Sequence, residues 1–497
     1  MKIYSFVVIL LGGVMTLGCQ NKKATVAEAV KKPNVILIMA DDLGWGDTGF
    51  NGNKIIKTPH LDEMAREGVQ FNRFYSASAV CSPTRASVLT GRNPMRTGVF
   101  NANDGILRSE EVTLPELLKE EGYATGHFGK WHLGTLTHTE KDANRGKQGN
   151  TKEYNPPKLH GYDDAFVTES KVPTWDPMKK PIRKNLTKKG WDYLKPGEPF
   201  KAYGTYYWDI DGNKITKNLD GDDSQVMMDR VLPFIDKSVE QKQPFLAVVW
   251  FHTPHMPCVA GPEYQKMYAG QDPLMQNYAG SITAMDDQIG RLRKHLKTLG
   301  VDENTMIWFC SDNGPENGNS GVTGGFKERK RSLHEGGVRV PGLLVWPNKI
   351  KKPFKTDFPA VTSDYLPTIA TVLDIDASKL PYVLDGIDLI PVLEGSQKKR
   401  EKPIGFSYLN QISYTTNEMK VYVRGEKLEY YNIANDPFEE FPLQKDNKFK
   451  VIKGDMDKFL QSCKKSFEGK EYGTVSFDKL GQSWVNPYMF NLKKEKK

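Results

Sequence analysis

The chain has 497 residues, 38% of them hydrophobic and 26% charged, and a formal net charge of +8. This balance is typical of a globular protein and excludes a largely disordered or membrane-spanning chain. Part of the basic excess lies in short lysine runs near the termini. The five cysteines show no C-x-x-C spacing, so neither a zinc site nor a dense disulfide framework is indicated.

The N-terminus has the features of an export signal. Lys2 precedes a short apolar run that is not long enough to span a bilayer, and the run ends in the segment TLGC (16–19). This ending resembles a bacterial lipoprotein signal, so we expect a signal peptide over 1–18, acylation at Cys19 and a polar tether over 19–32. Ordinary cleavage before the cysteine is the alternative. Both interpretations place the protein outside the cytoplasm, in the periplasm or at the cell surface.

Strands and helices alternate after residue 33. Continuous apolar runs indicate strands buried on both faces, at 34–40, 245–250, 306–310 and 338–346. Prolines near a helix start, or apolar steps of three and four residues, predict helices that begin at Thr58-Pro59, near Cys81 and at Thr113-Leu114, and another over 278–296. This alternation predicts a doubly wound α/β sheet.

Two regions depart from that pattern. Residues 135–225 lack long apolar periodicity and read as insertions that could build a binding cleft. Their basic and aromatic residues are candidates for lining such a cleft, with ordinary surface or core positions as the alternative: Lys179, Lys180, Arg183, Lys188, Lys189, Tyr203, Tyr206, Tyr207 and Trp208.

The end of the chain predicts a second unit. Short strands over 420–424 and 427–433 suggest a small antiparallel sheet. We therefore divide the chain into a main domain over 33–400 and a C-terminal subdomain over 401–497.

Carboxylates follow two of the predicted strands directly. Asp41 and Asp42 come after the first strand, and Asp312 and Asn313 come after the strand at 306–310. Since ligands bind beyond the carboxyl ends of strands in such sheets, these side chains are expected to meet. Hard oxygen donors in that number suit Ca²⁺ or Mg²⁺. Solvated turns or helix caps are the alternative.

The segment CSPTRASVLTGR (81–92) places a cysteine at a helix start. Free N–H groups and the helix dipole favour an anion there, so we expect the pKa of the Cys81 thiol to be lowered and the thiol to be nucleophilic. Arg85, four residues further on, lies on the same face. A structural cysteine is the alternative.

This segment resembles the signature of the type I, formylglycine-dependent sulfatases. Further blocks resemble the same family in family order: ADDLGWGDTGFNG (40–52), GYATGHFGKWHLG (122–134), FHTPHMP (251–257), SDNGPENG (311–318), KRSLHEGGVRVPG (330–342) and NIANDPFEE (432–440). The resemblance implies an α/β fold like that of alkaline phosphatase, an α/β/α sandwich with a smaller C-terminal subdomain built on an antiparallel sheet.

The resemblance also implies roles for particular residues. Cys81 would be oxidised to Cα-formylglycine by a maturation enzyme, and its hydrated aldehyde would be the nucleophile that forms a covalent sulfated enzyme. Asp41, Asp42, Asp312 and Asn313 would hold one Ca²⁺ that also contacts the group at position 81. The remaining candidates are Arg85, Lys130 and His132 around the hydrate, Lys330 on the sulfate, and His255, with His252 as a competitor, as the proton donor to the leaving alcohol.

These roles agree with the charge of a sulfate monoester. A divalent cation and several lysine and arginine side chains would offset its repulsion of an anionic nucleophile. The resemblance favours a carbohydrate sulfate, either an algal polysaccharide such as ulvan or carrageenan or a glycosaminoglycan, and implies no nucleic-acid partner. A phosphatase or phosphonate hydrolase of the same fold and a catalytically dead glycan-binding protein are the alternatives.

Overall fold

A ten-stranded mixed sheet lies at the centre of the fold. The structure is a computed structural model that describes residues 32–185 and 190–467. The predicted signal peptide, Cys19 and the tether up to residue 31 lie outside these ranges. Within the two ranges we find no helix whose length and apolar character would let it span a bilayer.

The strands follow the predicted runs closely in the first part of the chain. In chain order they are β1 (Asn34–Ala40), β2 (Val69–Phe71), β3 (Phe74–Tyr75), β4 (Ala124–Lys130), β5 (Asp164–Thr168), β6 (Ile182–Asn185), β7 (Gly190–Asp192), β8 (Tyr207–Asp209), β9 (Lys214–Ile215), β10 (Phe245–Trp250), β11 (Thr305–Ser311), β12 (Arg339–Val340), β13 (Gly342–Val345), β14 (Phe354–Thr356), β15 (Ala360–Val361), β16 (Ile404–Tyr408), β17 (Gln411–Thr415), β18 (Met419–Arg424) and β19 (Lys427–Asn432).

Three of the four predicted helices begin where the sequence places them, at Pro59, Cys81 and Leu114, whereas the one predicted over 278–296 begins earlier, at Pro273. In chain order the helices are α1 (Pro59–Glu67), α2 (Cys81–Thr90), α3 (Leu114–Glu120), α4 (Asp223–Glu240), α5 (Pro262–Lys266), α6 (Pro273–Thr298), α7 (Glu335–Val338), α8 (Tyr365–Val372), α9 (Ile390–Leu393) and α10 (Asn447–Phe467). A capping box stabilises the start of α3. The backbone N–H of Thr113 donates to the Glu116 carboxylate at 2.7 Å, which satisfies an otherwise free donor at the start of α3.

The order of strands in the central sheet is β14-β2-β13-β11-β1-β10-β4-β5-β8-β9. Strand β1 pairs in parallel with β10 on one side and β11 on the other. Its register pairs Ala40 with Ser311, so the chain leaves both strands side by side. Antiparallel strands β13, β8 and β9 make the sheet mixed rather than purely parallel.

Helices cover both faces of this sheet. Alternate residues of β1 belong to two separate hydrophobic clusters, with Leu37 in one and Ile38 in the other. Helices α2, α3 and α8 contribute to the first cluster, whereas α1, α4 and α6 contribute to the second. The predicted α/β/α sandwich is confirmed.

The predicted small antiparallel sheet is also confirmed, in the order β16-β17-β18-β19. Helix α10, which we did not predict, packs against it through Phe449 and Met456, which join Met419 and Val421 in one hydrophobic cluster. The described residues from Pro33 onward group as one compact unit, so the division after residue 400 stays a prediction.

One predicted strand is wrong. The run over 338–346 is not one strand, because it contains Pro341, which has no amide hydrogen to donate to a ladder. Strand β12 before the proline belongs to a three-stranded sheet with β3 and β15, and β13 after it belongs to the central sheet.

A buried lysine joins the small sheet to the large domain. The Lys420 ammonium of β18 lies 3.0 Å from a carboxylate oxygen of Glu335 and 3.0 Å from one of Glu439. The backbone N–H of Glu335 donates to the second oxygen of Glu439 at 2.7 Å. All three side chains are buried, so each charge depends on the others for compensation.

Replacing Lys420 by methionine is therefore expected to lower the free energy of unfolding by about 3–5 kcal/mol, since two buried carboxylates would lose their shared cation. Urea denaturation measures this change. Lys427→Met is the matched control, because Lys427 is exposed and pairs with Glu429 at the surface, where a salt bridge contributes about 1 kcal/mol or less. Equal, small losses of unfolding free energy in the two variants would show that the buried ion pairs of Lys420 do not stabilise the fold.

Candidate active site

Strands β1 and β11 bring the predicted metal ligands together. The Asp42 backbone N–H donates to Asp312 Oδ1 at 3.0 Å, and Asn313 Nδ2 donates to Asp42 Oδ1 at 2.6 Å. All of these side chains and that of Asp41 are fully buried. Asp42 has φ +69°, a left-handed conformation that costs energy for a side chain of this kind and that these hydrogen bonds maintain.

Cys81 is the first residue of α2, as predicted. The preceding residue is extended, Pro83 lies in the first turn, and Gly91 ends the helix with φ +66°, a conformation that glycine adopts without a Cβ penalty. The Cys81 thiol lies 3.4 Å from Asp41 Oδ1. The prediction of a lowered thiol pKa is wrong, because burial and the charge of Asp312 raise the pKa of Cys81.

Three cations face the three carboxylates. Arg85 donates to Asp312 Oδ2 at 2.7 Å, and the Lys130 ammonium lies 2.7 Å from Asp41 Oδ2. The Lys330 ammonium lies 2.5 Å from Asp42 Oδ1 and 3.6 Å from the Cys81 sulfur. The structure therefore brings four other sequence blocks to the block that contains the Cys81 thiol.

The two carboxylates next to Arg85 respond differently to this environment. Burial opposes ionisation of Asp41, but the positive charges of Lys130 and Arg85 hold its pKa well below the usual value. Burial and the negative charge of Asp41 raise the pKa of Asp312 to about 7, although Arg85 opposes this. The carboxylates repel each other, and a divalent cation would relieve that repulsion.

The donor set fits a hard cation. Asp42 Oδ2 and Asn313 Oδ1 are buried and have no hydrogen-bond partner among the described residues. A second observation is that four possible ligand atoms lie close enough together to hold a metal ion. They are one carboxylate oxygen each of Asp41 and Asp42, a ring nitrogen of His255 and the sulfur of Cys81. Unpartnered buried oxygens are rare unless an ion or water satisfies them, so the residues present fit the metal that the resemblance implies.

The structure separates the two candidate histidines. Both ring nitrogens of His252 are engaged, Nδ1 with Asp223 Oδ2 at 2.8 Å and Nε2 with Thr168 Oγ1 at 2.7 Å, and the ring is fully buried. His255 instead lines the cleft that contains Cys81, and its Nε2 lies 3.6 Å from Asp42 Oδ2. Its Nδ1 donates to the carbonyl of Met256 at 2.7 Å, which leaves Nε2 for other contacts.

His132 also lines this cleft. It has φ +59°, and its Nε2 lies 2.8 Å from Asn103 Oδ1. Its Nδ1 is buried without a hydrogen-bond partner among the described residues. Burial and the positive charge of Lys130 lower the pKa of His132 well below its usual value, so the ring is neutral at pH 7.

The cleft has a volume of about 680 Å³ and is lined by all but one of the residues predicted to act on a substrate. Cys81, Lys130, His132, His255 and Lys330 line it, whereas Arg85 lies behind them and contacts the Trp250 ring at 5.1 Å. Lys180, Arg183 and Tyr203 of the insertion also line it, as the sequence suggested.

Other residues of the insertion have structural roles. Lys179 forms salt bridges with Asp176 and Asp220 instead of lining the cleft, Tyr206 packs against the first hydrophobic cluster, and Tyr207 and Trp208 of β8 are buried in the core. A role for these four residues in lining the cleft is therefore wrong. Lys188 and Lys189 lie outside the described residues.

Sequence reasoning missed several cleft residues, among them Lys171, Trp191 and Tyr408. Lys171 follows the carboxyl end of β5, so the rule that ligands bind beyond strand ends could have found it. Trp191 of β7 and Tyr408 of β16 lie far in sequence from the motifs, and no sequence pattern indicated that they line the cleft.

This fold and site define a class of enzymes, the α/β/α hydrolases that cleave anionic esters at the carboxyl edge of the sheet. Within that class the chain belongs to the sulfatase family, since the family model described as Sulfatase matches residues 33–375. It is a sulfuric ester hydrolase. Members of the family generally use a formylglycine and a metal ion, in keeping with the position of Cys81 beside the carboxylates.

Two relatives and one solved structure show the extent of the similarity. The chain is 31% identical over 414 residues to N-acetylgalactosamine-6-sulfatase of Mus musculus, covering 78% of this chain and 71% of the relative. It is 28% identical over 494 residues to the ulvan-active sulfatase of Formosa agariphila, covering 92% and 87%. The crystal structure of Ps i-CgsB is similar with a TM-score of 0.74 and 26% identity, covering 93% of this chain and 98% of that one.

Proposed function

We propose that this sulfatase removes sulfate from carbohydrate chains, with Cys81 converted to formylglycine and with Ca²⁺ as its metal. The observation that carries the proposal is the convergence of Cys81, three buried carboxylates and three cations at one end of an open cleft. The two relatives named for ulvan and for an N-acetylgalactosamine sulfate support a carbohydrate substrate.

Asp41, Asp42, Asp312 and Asn313 would hold the ion. Bound Ca²⁺ would supply Lewis-acid polarisation of the sulfate and would offset its charge. Once Cys81 is oxidised to formylglycine, the set of donors would contain no thiolate and would consist mainly of oxygen atoms, which favours Ca²⁺ or Mg²⁺ over zinc. The number of carboxylates favours Ca²⁺.

Formylglycine at position 81 supplies a hydroxyl of its hydrated aldehyde as the nucleophile. The unmodified thiol is a poor nucleophile in this environment, since its pKa is raised. Cys81 is 1% exposed and every residue of α2 is buried, so a maturation enzyme has to modify the chain before it folds.

The remaining side chains act on the sulfate and on the leaving alcohol. Lys130 and Lys330 line the cleft beside Cys81 and stabilise the negative charge of the transferring group, while Arg85 holds Asp312 in place. His132 orients the nucleophile through its unpartnered Nδ1. His255 would give a proton from Nε2 to the leaving oxygen only as the doubly protonated ring, because Nδ1 already donates to Met256. Burial lowers the pKa of His255 to about 3 although Asp42 and Asp41 oppose this, so the negative charge of the bound ester would have to favour the protonated ring.

Replacing His255 by glutamine is expected to lower kcat on a sugar sulfate by about 10²–10⁴-fold, the usual contribution of a general acid. The loss should be much smaller on 4-nitrophenyl sulfate, whose leaving group needs no proton. His252→Gln is the control, and it should affect both substrates alike through stability. A loss in His255→Gln that does not depend on the leaving group would contradict the role.

Sulfated and phosphorylated nitrophenyl esters test the proposed reaction, and a library of defined sulfated sugars tests the substrate class. Faster turnover of the phosphate ester would favour the phosphatase alternative. A protein that binds sulfated sugars but releases no sulfate would favour the glycan-binding alternative. We expect sulfate release from sugars, with aryl sulfates as weaker substrates.

We also infer that the chain is exported and anchored by a lipid at Cys19. The N-terminal segment TLGC (16–19) supports this inference. Cell fractionation with metabolic lipid labelling tests it, since Cys19→Ala should release the protein from the membrane fraction. Labelling that persists in that variant would contradict the anchor.

A further inference from the structure

A second cationic group lies in the cleft, separate from the lysines that face the carboxylates. Lys171 follows β5, lines the cleft and is half-buried. Its ammonium group forms no hydrogen bond or salt bridge with any residue of 32–185 or 190–467. Burial and the positive charges of Lys130 and Lys330 lower the pKa of Lys171, and the opposing charges of Asp42 and Asp41 do not offset this.

The adjoining wall is also basic. Lys180 lines it, is exposed and forms no salt bridge within the described residues, and the Arg183 guanidinium lies 5.4 Å from the centre of the Trp191 ring. Glu316 is the only carboxylate among the described residues that line the cleft, and its Oε1 accepts from Arg331 at 2.5 Å. Basic side chains therefore outnumber carboxylates among the described residues that line the cleft.

Lys130 and Lys330 differ from Lys171 in their partners. Each is paired with a carboxylate of the metal site, and in the proposed function they bind the sulfate that is removed. Lys171 has no such partner, so the cleft contains more positive charge than one sulfate and the carboxylates account for. An uncompensated, partly buried ammonium is unfavourable unless a ligand pairs with it.

We propose that the substrate carries a second anionic group close to the sulfate that is removed, and that Lys171 binds this group. Lys180 adds to the positive field along the same wall. The inference rests on the proposed carbohydrate substrate and assigns its chemical class, a sugar sulfate with a neighbouring carboxylate or a further sulfate. Lys171 is then a specificity-determining residue of this chain.

Three substrates with the same scissile sulfate test this inference: a neutral sulfated disaccharide, one with an adjacent uronate and one with an adjacent second sulfate. The native enzyme should prefer at least one of the charged sugars, and the better of the two identifies the source of the charge. Lys171→Met should lower kcat/KM for that sugar by about tenfold to a hundredfold, the usual effect of losing a charge-assisted hydrogen bond, with a clearly smaller loss on the neutral sugar.

Two further variants keep the test specific. Lys171→Arg should restore most of the preference because it retains the charge, and Lys355→Met, an exposed lysine outside the cleft, should leave all three rates unchanged. The preference should also weaken as salt screens the exposed wall. Equal rates on the three sugars, or equal losses in Lys171→Met, would overturn the inference alone. Cleavage of 4-nitrophenyl sulfate with none of the sugars cleaved would overturn the proposed function and this inference together.

Discussion

Replacing Cys81 by alanine is expected to abolish turnover of both aryl and carbohydrate sulfates, with a fall in kcat/KM of at least ~10⁴-fold, as for the loss of the nucleophile in other covalent enzymes. The residue begins α2, and its sulfur lies 3.4 Å from Asp41 and 3.6 Å from Lys330. In the proposed function the other side chains of the site bind and polarise the sulfate ester, and the attacking group comes from position 81.

Cys463→Ala is the matched control, since it removes a buried thiol from α10, outside the cleft, and should retain activity. Mass spectrometry of the native peptide that contains residue 81 provides the second measurement. We expect the mass of formylglycine, in which oxygen has replaced the thiol. An active Cys81→Ala variant, or a native peptide that retains its thiol, would contradict the role of Cys81.

Replacing Asp42 by alanine is expected to remove the response of the protein to Ca²⁺ and to lower kcat/KM by about 10³-fold or more, because a bound cation contributes several kcal/mol of charge stabilisation. Its Oδ2 is one of the two unpartnered oxygens of the site, and its Oδ1 accepts from Lys330. Ligand binding to the folded state stabilises it by about 2.7 kcal/mol when the ion is at a hundred times its Kd.

Thermal unfolding with EDTA, CaCl₂ or MgCl₂ measures that response. The Tm of the native protein should rise with CaCl₂ more than with MgCl₂, and the Tm of Asp42→Ala should not change with either. Asp287→Ala is the control, because Asp287 belongs to a second cluster with His60 and Asp286 and is partly exposed. A Ca²⁺ shift that survives in Asp42→Ala but disappears in Asp287→Ala would place the ion elsewhere.

The sequence predicted those features of the site that depend on local pattern. The continuous apolar runs of β1 and β11 identified two buried strands, and the carboxylates directly after them had to meet at the sheet edge. The helix start at Cys81 and its end at Gly91 also followed from local rules, since proline and glycine determine backbone angles.

Features that depend on distant contacts could not be predicted in this way. The sequence of α2 is polar at several positions, yet all of its residues are buried because partners from far along the chain satisfy them, as Asp312 does for Arg85 and Thr362 for Ser87. This burial is also why the pKa of Cys81 is raised, against the effect of the helix dipole.

The sequence could not decide which of the two histidines faces the cleft, because this also depends on contacts with residues distant in sequence. His252 and His255 stand in one short block, and only the positions of Asp223 and Thr168 show that the first is held inside the core. The prediction that the insertion lines the cleft was correct for only some of its residues. Lys180 and Arg183 line the cleft, whereas Tyr207 donates its hydroxyl hydrogen to Asp223 in the interior.

The buried contacts around Lys420 have a consequence for any attempt to shorten this enzyme. The match to the family model ends at residue 375, but Glu439 receives the backbone N–H of Glu335 in the turn that follows Lys330, and Tyr408 forms part of the cleft wall. The residues after 375 are therefore part of the structure that forms the active-site cleft. A recombinant fragment that stops near residue 375 would lack contacts that support the segment after Lys330, the lysine that we propose binds the sulfate. Domain exchanges among relatives should therefore keep both parts from a single parent.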